Sequence, residues 1–340
     1  MKNKITIGIP TFNRGHKALS GVEAILNKLP VGVDILIVDN DSQLQNESYF
    51  KISNISKSHP SKLKYIRNPA NIGMAGSIGK LLDEITSDWF ILCSDEDIVN
   101  IEYLDKLISI SNKYKDIGIV RGGISPLINY GGSTCSFPDI RLTAGIEALK
   151  GFGFHNNYIS GIAYNLTLLK SKDIIQKFHA GVWAHHDYPH LYLDSLSSVI
   201  ADIQLLSTVS CWQGDPEGYN DPGNEMKYKT PYTVGARLDQ FWATQKGVFE
   251  ALNIISDQIK TEDWGNLYLA VCDKYLRLVA VIDAFLYARN NLEIKQIIDC
   301  SGNFMKSAIP KNFGYEFYVK VGWRLDNLIA QYICKVESPS

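Results

Sequence analysis

Trp89-Phe90-Ile91-Leu92-Cys93-Ser94-Asp95-Glu96-Asp97-Ile98-Val99 is an apolar run that ends in three carboxylates. Five apolar residues in a row read as a buried strand. Carboxylates at the end of such a strand are costly unless something cationic compensates them. A hard divalent cation carrying a diphosphate suits the position, because Mg2+ or Mn2+ uses one or two carboxylates plus phosphate oxygens. If the backbone turns here, Asp95 and Asp97 alternate into one crevice as metal ligands, with Glu96 beside the ligand between them. The same triplet, taken alone, is a solvated acidic turn capping a helix over 101–112.

Upstream of this run, strand and helix signals alternate. Ile5-Thr6-Ile7-Gly8-Ile9 is a strand, and Pro10-Thr11-Phe12-Asn13-Arg14 follows it. A helix over 17–29 keeps Ala18, Leu19, Val22, Ile25, Leu26 and Leu29 on a helical period. Asp34-Ile35-Leu36-Ile37-Val38 is continuously apolar past its first residue, as central parallel strands are, and it ends in Asp39-Asn40-Asp41-Ser42. A helix over 48–58, a short strand at 63–66, a turn at 67–73 and a helix over 75–85 lead back to Trp89. This alternation predicts an α/β fold, a Rossmann-like and mostly parallel sheet with flanking helices. In such sheets ligands bind beyond the carboxyl ends of the strands, where the polar clusters after the first, second and fourth strands lie.

Downstream the pattern loosens. Strands are expected at 118–122, 158–165 and 200–209, loops over 122–137, a helix after Leu166-Thr167, and a long polar loop over 213–230. Beyond Pro231 helical periodicity dominates, over about 233–259, 264–289, 292–301 and 315–335. The chain therefore divides into 1–230, an α/β domain with its ligand edge at the strand ends, and 231–340, an α-helical region suited to acceptor, oligomer or membrane-surface contacts. Residues 235–340 hold twelve Lys/Arg and twelve Asp/Glu, so that region carries no excess charge.

Composition sets the outer bounds. With 340 residues and a net charge of −2, nothing marks a nucleic-acid binder. The six cysteines form no CxxC pair and read as reduced thiols. The first apolar run begins at once, so no signal peptide is expected. The longest apolar candidate, 267–287, is broken by Asp273, Lys274, Arg277 and Asp283, so no span is expected either. The expected location is cytoplasmic, with peripheral contact at the inner face of the membrane as an option. The 315–335 helix sets Phe317, Tyr318, Trp323, Leu328 and Tyr332 beside Lys320 and Arg324, which suits either a membrane surface or a core.

Each remaining motif carries two readings. Pro10 to Arg14 offers amides and a guanidinium to a nucleotide, or Pro10 ends the strand and Thr11 or Asn13 caps the next helix. Asp39 and Asp41 meet a base or ribose, or form an Asx turn. Gly73-Met74-Ala75-Gly76-Ser77-Ile78-Gly79 has GxxGxxG spacing, which fits a closely packed helix start better than a dinucleotide fingerprint. Asp187, among His185, His186 and His190, suits a general base, while His186 suits a metal; a histidine-rich turn is also commonly structural.

Together these pieces resemble the inverting family 2 glycosyltransferases of GT-A fold. The matching segments are 7–14, 35–42, 68–76 and 94–98, and residues 159–165 (Ile159-Ser160-Gly161-Ile162-Ala163-Tyr164-Asn165) resemble the abequosyltransferase-like branch that builds bacterial surface polysaccharides. The resemblance implies that Pro10, Thr11, Asn13 and Arg14 flank a nucleotide-diphosphate sugar donor. Asp39 would meet its base, and Asn71 and Gly76 would lie along it. Asp95 and Asp97 would be the family's metal-binding pair for Mg2+ or Mn2+. Many members carry that pattern one step earlier, over Ser94 and Glu96. Asp187 would be the base, by position rather than by motif, with His186 at the metal. The acceptor would be a glycan hydroxyl, lipid-linked or not; a homodimer is an option. A sugar nucleotidyltransferase is the competing enzyme, but Gly8-Ile9-Pro10 gives no Gly-rich phosphate loop. A non-catalytic nucleotide-sugar-binding module differs in having no transfer to lose on replacing Asp187. A Rossmann oxidoreductase would need the first-turn glycines that are missing here.

Overall fold

A computed structural model describes residues 4–126, 135–153, 158–181, 189–214, 250–251, 261–277, 290–307, 309 and 314–337. The chain forms two units, Met1–Lys227 and Tyr228–Ser340.

In the first unit, β1 (Ile5–Thr11), β2 (Val33–Asp39), β3 (Leu63–Arg67) and β4 (Trp89–Leu92) pair in parallel in the order β3-β2-β1-β4. Every residue of β1 and β4 is buried, as expected of strands covered on both faces. The helices α1 (Gly15–Ile25), α2 (Asn46–Ser58), α3 (Gly73–Glu84) and α4 (Ile101–Lys113) supply the cover. Register brings the strand ends together: Thr11 lies opposite Asp39, and Asp39 opposite Arg67. Gly8 is needed where α3 crosses the sheet, since a Cβ there would come within 2.4 Å of the Phe90 ring.

Two local departures have plain causes. The strand runs through Pro10 to Thr11, because pairing with β4 already ends at Gly8 and an amide is no longer required on that side. The first helix tightens into a 3-10 turn at Leu26–Lys28, ahead of Pro30, which forces Leu29 into an extended conformation.

The second half of the sheet is mixed. β8 (Ile162–Asn165) is antiparallel to both β4 and β6 (Ile117–Pro126), and β9 (Asp202–Gln213) is parallel to β6. Short strands β5 (Ile98–Val99) and β7 (Ile140–Leu142), which the sequence did not announce, pair antiparallel with β9. The strand expected at 158–165 begins only at Ile162, because Gly161 turns the chain at φ +83. β6 continues to Pro126 where loop was expected. Helices α5 (Ile146–Ala148), α6 (Leu166–Ser171), α7 (Ile174–Gly181) and α8 (Pro189–Ser198) complete the described part of this unit.

In the second unit, α9 (Thr261–Arg277), α10 (Asn291–Ser307) and α11 (Tyr315–Glu337) pack through Leu267 and Leu276, Ile297 and Met305, and Leu325 and Ile329. Gly302 admits α11 closely, since a Cβ would come 2.6 Å from Ile329. α11 buries Tyr332 and exposes Tyr315, Val319 and Trp323. The expected helix at 233–259 and the later part of 264–289 lie outside the described residues, apart from 250–251 and 261–277. No helix among the described residues is long and apolar enough to cross a membrane.

An ion-pair cluster joins β3 to α3: Glu84 accepts from Lys64 and Lys80, each at 2.7 Å. Hydrogen bonds from these two lysines hold the Glu84 carboxyl down, to about 2. A depressed carboxyl stabilises above its unfolded value and loses that contribution as pH falls through its folded value. Glu84→Gln is therefore expected to lower stability at pH 7 by less than about 1 kcal/mol, as partly exposed pairs do. Urea denaturation should show the two midpoints converging as pH drops below the ordinary glutamate range toward 2.

Candidate functional site

The site is built from loops at the carboxyl edge of β1, β2, β3 and β4. Two asparagines clasp those loops to one another. Asn13, at φ +57, donates its amide to Ser42 Oγ at 2.8 Å, and its Oδ1 accepts from the amides of Gln43 at 2.8 Å and Leu44 at 3.0 Å. Its side chain thus ties the first loop to the second, and neither it nor Thr11 caps α1, whose N-cap Arg14 has no side-chain cap. Asn40 does the same one strand over: its Oδ1 accepts from Asn68 Nδ2 and the Ile72 amide, and its Nδ2 donates to Asn71 Oδ1 at 2.7 Å. Asn71 Oδ1 also accepts from the Gly73 amide. Gly76, one turn into α3, is needed because a Cβ would meet the Ile72 side chain at 2.8 Å.

Asp39 is fully buried, with Oδ1 accepting from the Ser42 amide at 2.9 Å and Oδ2 from Tyr65 OH at 2.7 Å. Burial, together with Asp39, raises the Tyr65 phenol, so it stays a donor. Arg67 pairs with Asp41 at 3.1 Å and lies 3.9 Å from Asp39.

The three carboxylates after β4 part company. The Asp97 amide donates to Ser94 O at 3.2 Å, closing a β-turn with Asp95 and Glu96 at its centre. Asp95 is 3% exposed and accepts from Thr11 Oγ1 at 2.8 Å, from Arg14 Nε at 3.2 Å and from Arg14 Nη2. Tyr49 OH lies 2.9 Å from Thr11 Oγ1 and accepts from the Arg14 amide, locking the first loop from behind. Glu96 Oε2 is buried and pairs with Arg14 Nη2 as well. Burial pushes the Glu96 carboxyl up to about 7; Arg14 opposes this, and Asp95 and Asp97 add to it. Burial would lower the Arg14 guanidinium, but the charges of Asp95 and Glu96 prevail and hold it above its ordinary value.

Asp97 faces the other way. Its Oδ1 accepts from Tyr158 OH and the Gly214 amide, both at 2.9 Å, and its Oδ2 from Ser160 Oγ. Burial raises it, and those donors pull it back. Asp95 and Asp97 therefore do not share a crevice: the turn puts Asp95 and Glu96 with Arg14 and folds Asp97 back onto 158–160.

Asp95 and Glu96 fit a hard divalent cation by donor type, since both offer carboxylate oxygens and share one guanidinium. Among the described residues no three His, Cys, Asp or Glu side chains gather to hold a metal. Lys17 Nζ, one turn into α1, is buried with no hydrogen-bond partner, and its charge reaches Glu96. His186 and Asp187 lie outside the described residues; His190, at the start of α8, is buried. Sequence reasoning missed Lys17, Tyr49, Tyr65 and Arg121. Only Arg121 left a signal, a charge inside the apolar run 117–124.

Residues 6–131 match the family described as Glycosyl transferase family 2. The chain is similar in fold to S. aureus TarS 1–349 in complex with UDP-GlcNAc, at 15% identity and TM-score 0.63, covering 98% of this chain and 90% of that one. The same fragment in complex with UDP gives 14% and 0.62, with the same coverage, and the longer S. aureus TarS gives 15% and 0.62, with 55% of that chain covered. No curated protein matches the sequence. Residues 6–131 thus match a family 2 glycosyl transferase model and the chain has a GT-A-like frame, which together support a glycosyltransferase.

Proposed function

We propose that this enzyme moves a sugar from a nucleoside-diphosphate donor onto a glycan hydroxyl with inversion, using Mg2+ or Mn2+ held by Asp95 and Glu96. The observation that carries this reading is the turn itself: two adjacent carboxylates at the carboxyl edge share the single guanidinium of Arg14. A bound metal would offset charge on the departing diphosphate. Thr11 and Arg14 orient Asp95, while the Asn13 and Asn40 clasps hold the loops that flank the nucleotide. Asp187 takes the proton of the acceptor hydroxyl as it attacks the anomeric carbon. The resemblance of 159–165 favours a lipid-linked or free glycan of bacterial surface-polysaccharide synthesis as acceptor. Residues 231–340 serve acceptor, oligomer or peripheral membrane contacts.

UDP is the first nucleotide to test, because TarS, similar in fold, is solved with UDP and UDP-GlcNAc. Calorimetric titration with UDP, GDP, CDP and dTDP, with and without Mn2+, is expected to show metal-dependent binding of one of them. If none binds, the acidic turn is a structural cap and the donor reading fails.

A further inference from the structure

We propose that Arg121, Ser160 and Asp97 form a bracket that positions Asp95 and Glu96, with Asp97 part of the frame rather than a metal ligand; this rests on the donor-site reading above. Arg121 has no exposed surface, and among the described residues no carboxylate lies within ion-pair reach of it. A buried charge without a counter-ion is unfavourable and survives only where other groups satisfy it. Here the partners are two backbone carbonyls of one turn: Nη1 donates to Ser160 O and Nη2 to Tyr158 O at 3.4 Å, while Nε is buried with no hydrogen-bond partner. The turn sits flush on the guanidinium, since a Cβ on Gly161 would fall 3.2 Å from Arg121 Nη1 and 2.3 Å from Ser210 Oγ. Arg121 thus fixes where the fully buried Ser160 stands.

Ser160 Oγ in turn grips both ends of the acidic turn. It accepts from the Ser94 amide at 2.8 Å and donates to Asp97 Oδ2. The two central residues between those ends, Asp95 and Glu96, have no choice of direction once the ends are pinned. Tyr158 OH and the Gly214 amide occupy the other Asp97 oxygen. Gly214 fits only as glycine, because a Cβ would overlap Glu96 O at 1.7 Å. Every hydrogen bond of Asp97 therefore points into the frame, whereas Asp95 and Glu96 point to Arg14.

The test is Mn2+ uptake in the presence of UDP (or whichever nucleotide binds), followed by loss of the free-Mn2+ paramagnetic resonance signal. Folding of each variant is checked by circular dichroism. Asp97→Asn keeps the Oδ1 acceptor and can still donate to Ser160 Oγ, so uptake should weaken by no more than about threefold, the scale of one altered hydrogen bond. Ser160→Ala touches no metal yet should weaken uptake about tenfold or more, as loss of a group orienting a ligand does. Arg121→Met should act like Ser160→Ala, and Arg121→Lys should recover part of the loss. If Arg121→Met does not fold, Ser160→Ala decides the matter alone. Uptake abolished in Asp97→Asn, as in Asp95→Asn, would make Asp97 a ligand and overturn the proposal. So would a folded Ser160→Ala with unchanged uptake. If the unaltered protein takes up no Mn2+ with any of the four nucleotides, the donor-site reading itself falls, and the bracket's role with it.

Discussion

Asp95→Asn is expected to abolish metal-dependent nucleoside-diphosphate binding and to lower kcat/KM for transfer by on the order of a thousandfold, the scale of losing a preorganised electrostatic partner. The side chain keeps its shape and loses its charge. Both Asp95 oxygens are acceptors in the native site, one for Thr11 Oγ1 and Arg14 Nε, the other for Arg14 Nη2. An amide NH2 in either place turns a donor toward a donor. Arg14 would then lean on Glu96 alone, whose Oε2 it already pairs with. Glu96→Gln should be milder, because Glu96 has only the Arg14 contact to lose and Asp95 remains with its full set. Calorimetry with UDP and Mn2+, alongside a transfer assay, separates the two variants. Native-like metal-dependent binding by Asp95→Asn would remove this residue from the metal site.

The parts of the fold legible in the sequence are those set by local physics. β1, β2 and β4 are covered on both faces, so they announce themselves as apolar runs, and the carboxylates after β4 stand out because such runs rarely end that way. What the sequence could not distinguish is Asp95 from Asp97. They are the same residue two positions apart, and their fates separate only because Ser160, 63 positions away, closes on one of them. Asp39 shows the same limit. A strand-end acid reads as a base or ribose partner, yet here both its oxygens are taken by Ser42 and Tyr65. β5 and β7 have two and three residues, too few for any period to show. Their existence depends on β9, which reaches them from more than sixty positions away in the chain. Arg121 is the exception among the missed residues, since a lone charge in a buried strand is visible without any partner being known.

Arg14→Met is expected to destabilise the metal-free protein at pH 7 by about 3 kcal/mol, the cost of leaving buried carboxylates without their cation. Arg14 is the only side chain within ion-pair distance of Asp95 and Glu96 among the described residues, and its own side chain is 19% exposed. Met fills most of the same volume, so the loss is one of charge more than of packing. Mn2+ should then restore more stability to the variant than it adds to the unaltered protein. In the native site a divalent cation held as proposed would compete with the guanidinium for the same two carboxylates; in the variant it would meet no rival. Binding to the folded state alone stabilises by RT ln(1 + [L]/Kd), so a tighter Kd appears directly as a larger shift in the urea midpoint. Nucleotide affinity should fall even when Mn2+ is saturating if Arg14 flanks the nucleotide as proposed. Denaturation in EDTA and in Mn2+, for both proteins, measures the first effect and UDP titration the second. Equal Mn2+ shifts in the two proteins would mean that metal and guanidinium do not share these carboxylates, and that Asp95 and Glu96 serve Arg14 alone.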